Sequence, residues 1–160
     1  MVISLIYISL VIIIFIIDLE KQLVLDKVIY PAMALTFAFS FFWPGFEGIN
    51  ALPGEALGRA VSSLLGGIIG LGIMALPFII YRSGMGMGDV KLGILVGLMS
   101  GYPLVFLTLL MSFIIGGLVA AILLTFKIKK RRDPIPFAPF LVTSAMITLL
   151  WGHVIWQWYL

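Results

Sequence analysis

Six apolar runs divide this chain, and they constrain its fold more than any other feature of the sequence. A helix needs about 20 residues to cross roughly 30 Å of hydrocarbon, so 160 residues accommodate about six membrane spans and no additional soluble domain. We therefore predict an all-α, polytopic membrane protein with a single domain over residues 1–160. The predicted spans are Val2–Ile17, Val28–Trp43, Leu57–Tyr81, Val90–Gly101, Pro103–Phe126 and Phe137–Tyr159.

The composition identifies the lipid bilayer as the main partner. Hydrophobic residues make up 62% of the chain and charged residues 11%, against about 25% charged residues in soluble domains. The basic residues lie in short loops rather than along one face, which argues against binding of nucleic acid. The chain has no cysteine, no metal-ligand spacing and no phosphate-binding glycine motif, so we expect neither a metal nor a cofactor. It carries no signal for an oligomeric state.

The fourth run, Val90–Gly101, is short for a span, and the turn at Gly101-Tyr102-Pro103 must reverse the chain after it. Five spans and a re-entrant segment are the alternative arrangement.

Charge in the loops predicts how the spans are oriented. Nine of the ten basic residues fall on one side of the predicted bundle, and Arg59 is the exception. Because cytoplasmic loops are enriched in Lys and Arg, that side is predicted to be the cytoplasm, with both termini outside.

Glycine is concentrated in two of the spans. Gly66, Gly67, Gly70 and Gly72 lie in the third span, and Gly116-Gly117 in the fifth. Small residues allow helix backbones to approach closely in membranes, so we predict tight helix packing at these positions.

Two carboxylates stand at the ends of apolar runs. Asp18 ends the first and Asp89 opens the fourth, so the predicted topology places both on the cytoplasmic side at the same depth. A carboxylate pair facing one water is the arrangement of an aspartyl protease, in which one group is ionised and the other protonated. Asp89 would lie where the helix dipole favours the anion, so we assign Asp89 as base and Asp18 as acid; the alternative is that the roles invert when substrate binds.

A glycine-rich segment, Gly84–Gly88, precedes Asp89. Glycine permits positive φ and leaves the backbone uncovered, so an extended substrate could lie against Gly86 and Gly88 beside the carboxylate. The alternative is a flexible loop in which Asp89 merely caps the next helix.

These residues carry a family resemblance. "GMGD", Gly86–Asp89, resembles the GxGD signature of membrane aspartyl proteases, and the following "VKLGILVGLMSG" resembles the type IV prepilin peptidases. The segments Ile17–Pro31, Gly66–Gly70 and Ile135–Leu141 resemble the same family in the same order, so the resemblance covers nearly the whole chain.

The resemblance implies a GxGD aspartyl protease fold and a peptidase, active at the cytoplasmic membrane face, that removes the short basic leader of type IV prepilin-like precursors. Asp18 and Asp89 carry over as the catalytic pair. Asp26, eight residues after Asp18, is a candidate contact for the basic leader, although pairing with a neighbouring Lys is the simpler explanation.

The chain departs from the family in three places. Val24-Leu25 replaces a common Ile-Pro, and Ala138 stands where glycine is common. The paired Cys-x-x-Cys region associated with N-methylation in the bifunctional enzymes is absent, so we expect peptidase activity without methyltransferase activity.

Two other classes of protein compete with the peptidase. A small proton- or cation-coupled transporter would use intramembrane carboxylates, but it predicts them near the bilayer midplane. A non-catalytic assembly subunit would explain the apolar composition but not the two aspartates.

Overall fold

The structure is a computed structural model that describes residues 26–40, 56–80, 86–127 and 137–159, together with the single residues 6, 9, 12, 13 and 16. These five single residues are helical and fall within the first predicted span. Asp18 and the rest of the first loop, up to residue 25, lie outside the described residues. Gly84, in the segment before Asp89, lies outside them as well.

The described part of the chain is helical throughout, apart from short turns, and contains no strand. Its helices are α1 (Asp26–Ser40), α2 (Ala56–Ile80), α3 (Met87–Ser100), α4 (Leu104–Thr125) and α5 (Ala138–Tyr159). They coincide within a few residues with the second to sixth predicted spans, so the all-α prediction is confirmed for these segments.

Two of the helices are long and apolar enough to cross a membrane, namely Leu57–Ile80 of α2 and Leu104–Thr125 of α4. Only 28% and 22% of their apolar windows are buried within the protein, so most of their side chains face outward. Outward-facing apolar side chains on both helices require an apolar environment, as a bilayer provides. Shorter apolar helical stretches span Val28–Ser40 and Ala138–Gly152.

Helix α3 is the central element. Nine of its fourteen residues are buried, and α1, α2 and α5 all pack against it. At 1.5 Å per residue it is about 21 Å long, which is less than the roughly 30 Å of hydrocarbon in a bilayer. The other helices therefore shield a short helix from lipid.

Glycines join α2 and α3 in an antiparallel pair. A Cβ at Gly66 would overlap the carbonyl oxygen of Gly97, a Cβ at Gly97 would overlap that of Gly66, and a Cβ at Gly70 would overlap that of Gly93. Glycines spaced four residues apart on each helix thus bring the two backbones into direct contact. The close packing predicted for the third span is confirmed at Gly66 and Gly70.

The same prediction is wrong at two positions. A Cβ at Gly72 or at Gly117 would meet no atom of the described residues within 4 Å, so these glycines face away from the other described helices. By contrast, a Cβ at Gly116 would lie 3.1 Å from the Phe137 ring, and Gly116 marks the contact between α4 and α5.

The chain reverses between α3 and α4, as the turn at residues 101–103 predicted. Gly101 has φ 66°, and the Ser100 and Thr108 hydroxyls lie 3.0 Å apart, which a continuous helix would not allow. The Ser62 hydroxyl donates to the Tyr102 carbonyl (2.9 Å), and this bond attaches the turn to α2. Gly116 lies near Phe137 and Gly152 near Leu104, so α5 runs antiparallel to α4.

These directions define two ends of the bundle. At the end where α3 begins, α2 and α4 finish and α5 begins; we call this the Asp89 end. The turn at Tyr102 and the start of α2, with Arg59, lie toward the opposite end.

Candidate active site

Asp89 is the third residue of α3. Gly86 occupies the N-cap position, with no side-chain hydrogen bond to the cap, and the Asp89 N–H donates to the Gly86 carbonyl (3.1 Å). The alternative in which Asp89 is the helix cap is therefore wrong. The carboxylate instead lies within the first turn, where the helix dipole stabilises an anion.

The Asp89 side chain is buried, with 9% of its surface exposed. It is followed on α3 by the buried residues Val90 and Leu92. The other buried polar side chains of the described residues are all serine and threonine hydroxyls. An ionisable group in such surroundings costs free energy and is a candidate for function.

The backbone before Asp89 is extended and uncovered. Gly86 has φ −78° and ψ 150°, it is exposed, and a Cβ there would meet nothing closer than the Gly88 nitrogen at 3.9 Å. Gly86 does not use the positive φ that glycine permits, and Gly88 lies inside α3. The extended backbone at Gly86, with open space beside it, is therefore the feature that fits the prediction of an extended substrate next to Asp89.

Helix α1 contributes to the same end of the bundle. It starts at Asp26, and the Tyr30 ring lies 5.2 Å from the Lys91 ammonium nitrogen, within the range of a cation–π contact. Lys91 lies two residues beyond Asp89, so helix geometry places the two side chains on different faces of α3. Tyr30 was not predicted as part of the site; an aromatic residue in the first turn of an apolar helix was the available signal.

The structure therefore describes one half of the predicted pair. Asp89 is in place, Asp18 lies outside the described residues, and the meeting of the two carboxylates stays a prediction. Asp26 begins α1, but its side chain also lies outside the description. Among the described residues, no three His, Asp or Glu side chains come close enough together to hold a metal ion.

The location of Asp89 bears on the transporter alternative. That alternative predicts carboxylates near the bilayer midplane, whereas Asp89 lies in the first turn of α3, at one end of the bundle. The position suits chemistry at a membrane face better than a path through the membrane.

Comparison with known proteins gives consistent matches. Residues 5–121 match the type IV leader peptidase family. The chain is 33% identical over 147 residues to a prepilin leader peptidase/N-methyltransferase of Aeromonas hydrophila, covering 90% of this chain and 47% of that protein. Proteins of the same name from Pseudomonas aeruginosa and Bacillus subtilis are 31% and 28% identical, covering 90% and 98% of this chain and 47% and 58% of the relatives.

The chain thus spans about half the length of the curated relatives that it matches. No solved structure matches it significantly.

Proposed function

Because this chain belongs to the type IV leader peptidase family, we propose that it is a membrane aspartic endopeptidase that cleaves the leader from type IV prepilin-like precursors. The observation that carries the proposal is Asp89: a buried carboxyl in the first turn of the central helix, three residues after the exposed, extended Gly86. The relatives are named for two activities, leader peptidase and N-methyltransferase. For these 160 residues we propose the peptidase activity.

In the proposed mechanism Asp18 and Asp89 share one water molecule. The ionised carboxylate, assigned to Asp89, takes a proton from the water as its oxygen attacks the scissile carbonyl carbon. The protonated carboxyl, assigned to Asp18, donates its proton to the carbonyl oxygen, which gives a tetrahedral diol. The C–N bond then breaks, the leaving nitrogen takes a proton from Asp89, and Asp18 regains one from the diol.

This assignment follows from the helix ends. The first turn of α3 presents backbone N–H groups and the positive end of the helix dipole, which stabilise an ionised Asp89. Asp18 ends the first apolar run, where a helix would present carbonyl groups that favour the neutral acid. Two carboxylates this close titrate as a coupled pair, so the roles belong to the pair as much as to either residue.

We propose that the substrate strand lies along Gly86 and Gly88. A peptide bond is cleaved in an extended segment, and the extended, uncovered backbone at Gly86 leaves space for such a segment next to Asp89. Asp26, at the start of α1, would attract the basic leader at the same end of the bundle.

The proposed topology has six spans, both termini outside and the Asp89 end facing the cytoplasm. Two observations support it: nine of the ten basic residues lie in the loops next to the Asp89 end or in the helix ends that adjoin those loops, and Arg59 lies toward the opposite end. Cleavage would then occur at the cytoplasmic surface of the membrane.

The proposed dyad is tested with the purified protein and a prepilin-like precursor that has a short basic leader before a hydrophobic helix. We expect Asp18→Asn and Asp89→Asn each to reduce cleavage by at least about a thousandfold, because each removes an essential acid or base. Asp133→Asn is the matched control, since Asp133 lies in the basic loop after α4, and it should cleave at the wild-type rate. Cleavage is followed by the shift in precursor mass.

Retained cleavage in either dyad variant would refute the pair, provided that the variant elutes as the wild type does on size exclusion. The transporter alternative is tested with the same variants in liposomes. A proton or cation flux that disappears in both variants, together with no cleavage by the wild type, would replace the peptidase proposal.

A further inference from the structure

Lys91 and Tyr30 connect two helices at the Asp89 end. Lys91 lies two residues beyond Asp89 on α3 and is half-buried, and its nitrogen is 5.2 Å from the centre of the Tyr30 ring on α1. Tyr30 is 56% exposed. Lysines near helix ends commonly extend toward lipid headgroups. Lys91 instead lies over the ring of a residue on a neighbouring helix, which makes this a contact between helices.

The contact lies at a boundary between differently packed helices. Glycines 66, 70, 93 and 97 hold α2 and α3 together through backbone contact. Helix α1 contains no glycine, and it packs on the core through side chains such as Ile29 and Ala32, which are 0% and 1% exposed. Of α1 and α2, which both pack against α3, α1 is therefore the one whose position depends on side-chain contacts.

We propose that Lys91 and Tyr30 form a clasp that positions the first turn of α1 against the helix that carries Asp89. The inference rests on the proposed function, because the clasp matters through Asp18. Asp18 precedes the start of α1 by eight residues, which span at most about 28 Å when fully extended, so the position of α1 limits where Asp18 can lie. Lys91 and Tyr30 are positioning residues, and the chemistry stays with the carboxylates.

The kinetic test removes each partner of the clasp and then restores its chemistry. We expect Lys91→Met and Tyr30→Leu each to lower kcat about tenfold, in the range of a partly desolvated cation–π contact, with KM changed by less than about twofold. Lys91→Arg and Tyr30→Phe keep a cation and a ring, and they should retain most of the wild-type rate. Tyr102→Leu, an exposed tyrosine at the opposite end of the bundle, is the matched control.

The double variant Lys91→Met/Tyr30→Leu separates a clasp from two independent effects. If the residues act as a pair, the double variant is no slower than either single variant. Multiplied losses would overturn the proposal, as would wild-type rates in both single variants or a rise in KM without a fall in kcat.

A distance measurement tests the clasp without relying on cleavage. The chain has no cysteine, so Leu35→Cys on α1 and Leu71→Cys on α2, both exposed, can carry one spin label each. We expect Lys91→Met to broaden the distance distribution between the labels and Lys91→Arg to leave it unchanged. An unchanged distribution in Lys91→Met would overturn the positioning role.

The two measurements also separate this inference from the proposed function. If the wild-type protein cleaves no precursor, the proposed peptidase activity is refuted. The label distances would still show whether Lys91 and Tyr30 hold α1 in place. A wild type that cleaves, with Lys91→Met equal to it in rate and in label distances, refutes the clasp and leaves the peptidase standing.

Discussion

Burial of the Asp89 carboxylate is unfavourable, and the position of Asp89 at a helix N-terminus offsets part of that free energy. An aspartate at the centre of a membrane helix costs about 2.5 to 3.5 kcal/mol on insertion scales, and burial within protein adds the loss of solvation. Its place in the first turn of α3 lowers that cost, since a carboxylate near a helix N-terminus gains about 0.3 to 1 kcal/mol. The residue is thus placed where an ionised carboxylate is tolerated but not fully solvated, as a general base requires.

Gly86 allows a test of substrate access at a single residue. With φ −78° and no described atom closer than 3.9 Å to an added Cβ, Gly86→Ala meets no clash and should lower the free energy of unfolding only by about 1 kcal/mol, the usual effect of alanine at an N-cap. If the precursor lies along this backbone, the new methyl group occupies its place, and we expect KM to rise about tenfold. Precursor-cleavage kinetics and thermal unfolding check the two expectations.

Unchanged cleavage by Gly86→Ala would place the substrate elsewhere. A loss of stability well above about 1 kcal/mol, together with a loss of activity, would instead assign Gly86 to folding.

At the scale of elements, the pairing of α2 with α3 supports the site. Helix α3 is only 14 residues long, and its isolated stability in water would be small. Backbone contact with the 25-residue α2 holds it in place, and the buried side chains of α1 and α5 enclose the rest. Gly66 packs on Gly97 and Gly70 on Gly93. This alignment of the two helices therefore fixes the position of Asp89 along the axis of the bundle.

Two glycines of α2 that are two residues apart should respond in opposite ways to one added methyl group. Gly70→Ala overlaps the Gly93 carbonyl and should destabilise the protein by about 1 to 3 kcal/mol. Gly72→Ala faces open space on an exposed helix surface and should be neutral or stabilising by up to about 1 kcal/mol. Thermal unfolding in one detergent compares them, and equal shifts would contradict the packing described for α2.

At the scale of the whole molecule, the two ends of the bundle differ in charge and chemistry. Nine basic residues lie in the loops next to the Asp89 end or in the adjoining helix ends, and this end carries the buried carboxyl. The opposite end carries the Tyr102 turn, hydrogen-bonded to Ser62. Because positive loops tend to stay in the cytoplasm, this asymmetry supports the proposed orientation, in which the site faces the side where a newly made precursor is found.

Cysteine labelling from either side of the membrane tests this orientation. Tyr102→Cys and Phe126→Cys place single thiols at exposed positions just before and just after α4, in a chain with no other cysteine. We expect a membrane-impermeant maleimide to label Tyr102→Cys in right-side-out vesicles and Phe126→Cys in inside-out vesicles. The reverse pattern would place Asp89 outside, and labelling of both from one side would mean that α4 does not cross.

Much of the architecture could be predicted from the sequence because it depends on local composition. Apolar runs of span length set the bounds of α1 to α5 to within a few residues, and glycine with proline marked the reversal at residues 101–103. Asp89 was also selected as a candidate site residue from the sequence, since a charge beside an apolar run is costly wherever the helices pack.

Only the tertiary structure decided which faces meet. In a water-soluble helix the polar face marks the outside, but lipid is as apolar as a protein core, so the outer and inner faces of α2 and α4 have similar residues. The sequence could not distinguish Gly70, pressed against α3, from Gly72, which faces outward. For the same reason it did not show that the ring of Tyr30 meets Lys91: that contact joins residues 61 positions apart and depends on how the helices pack.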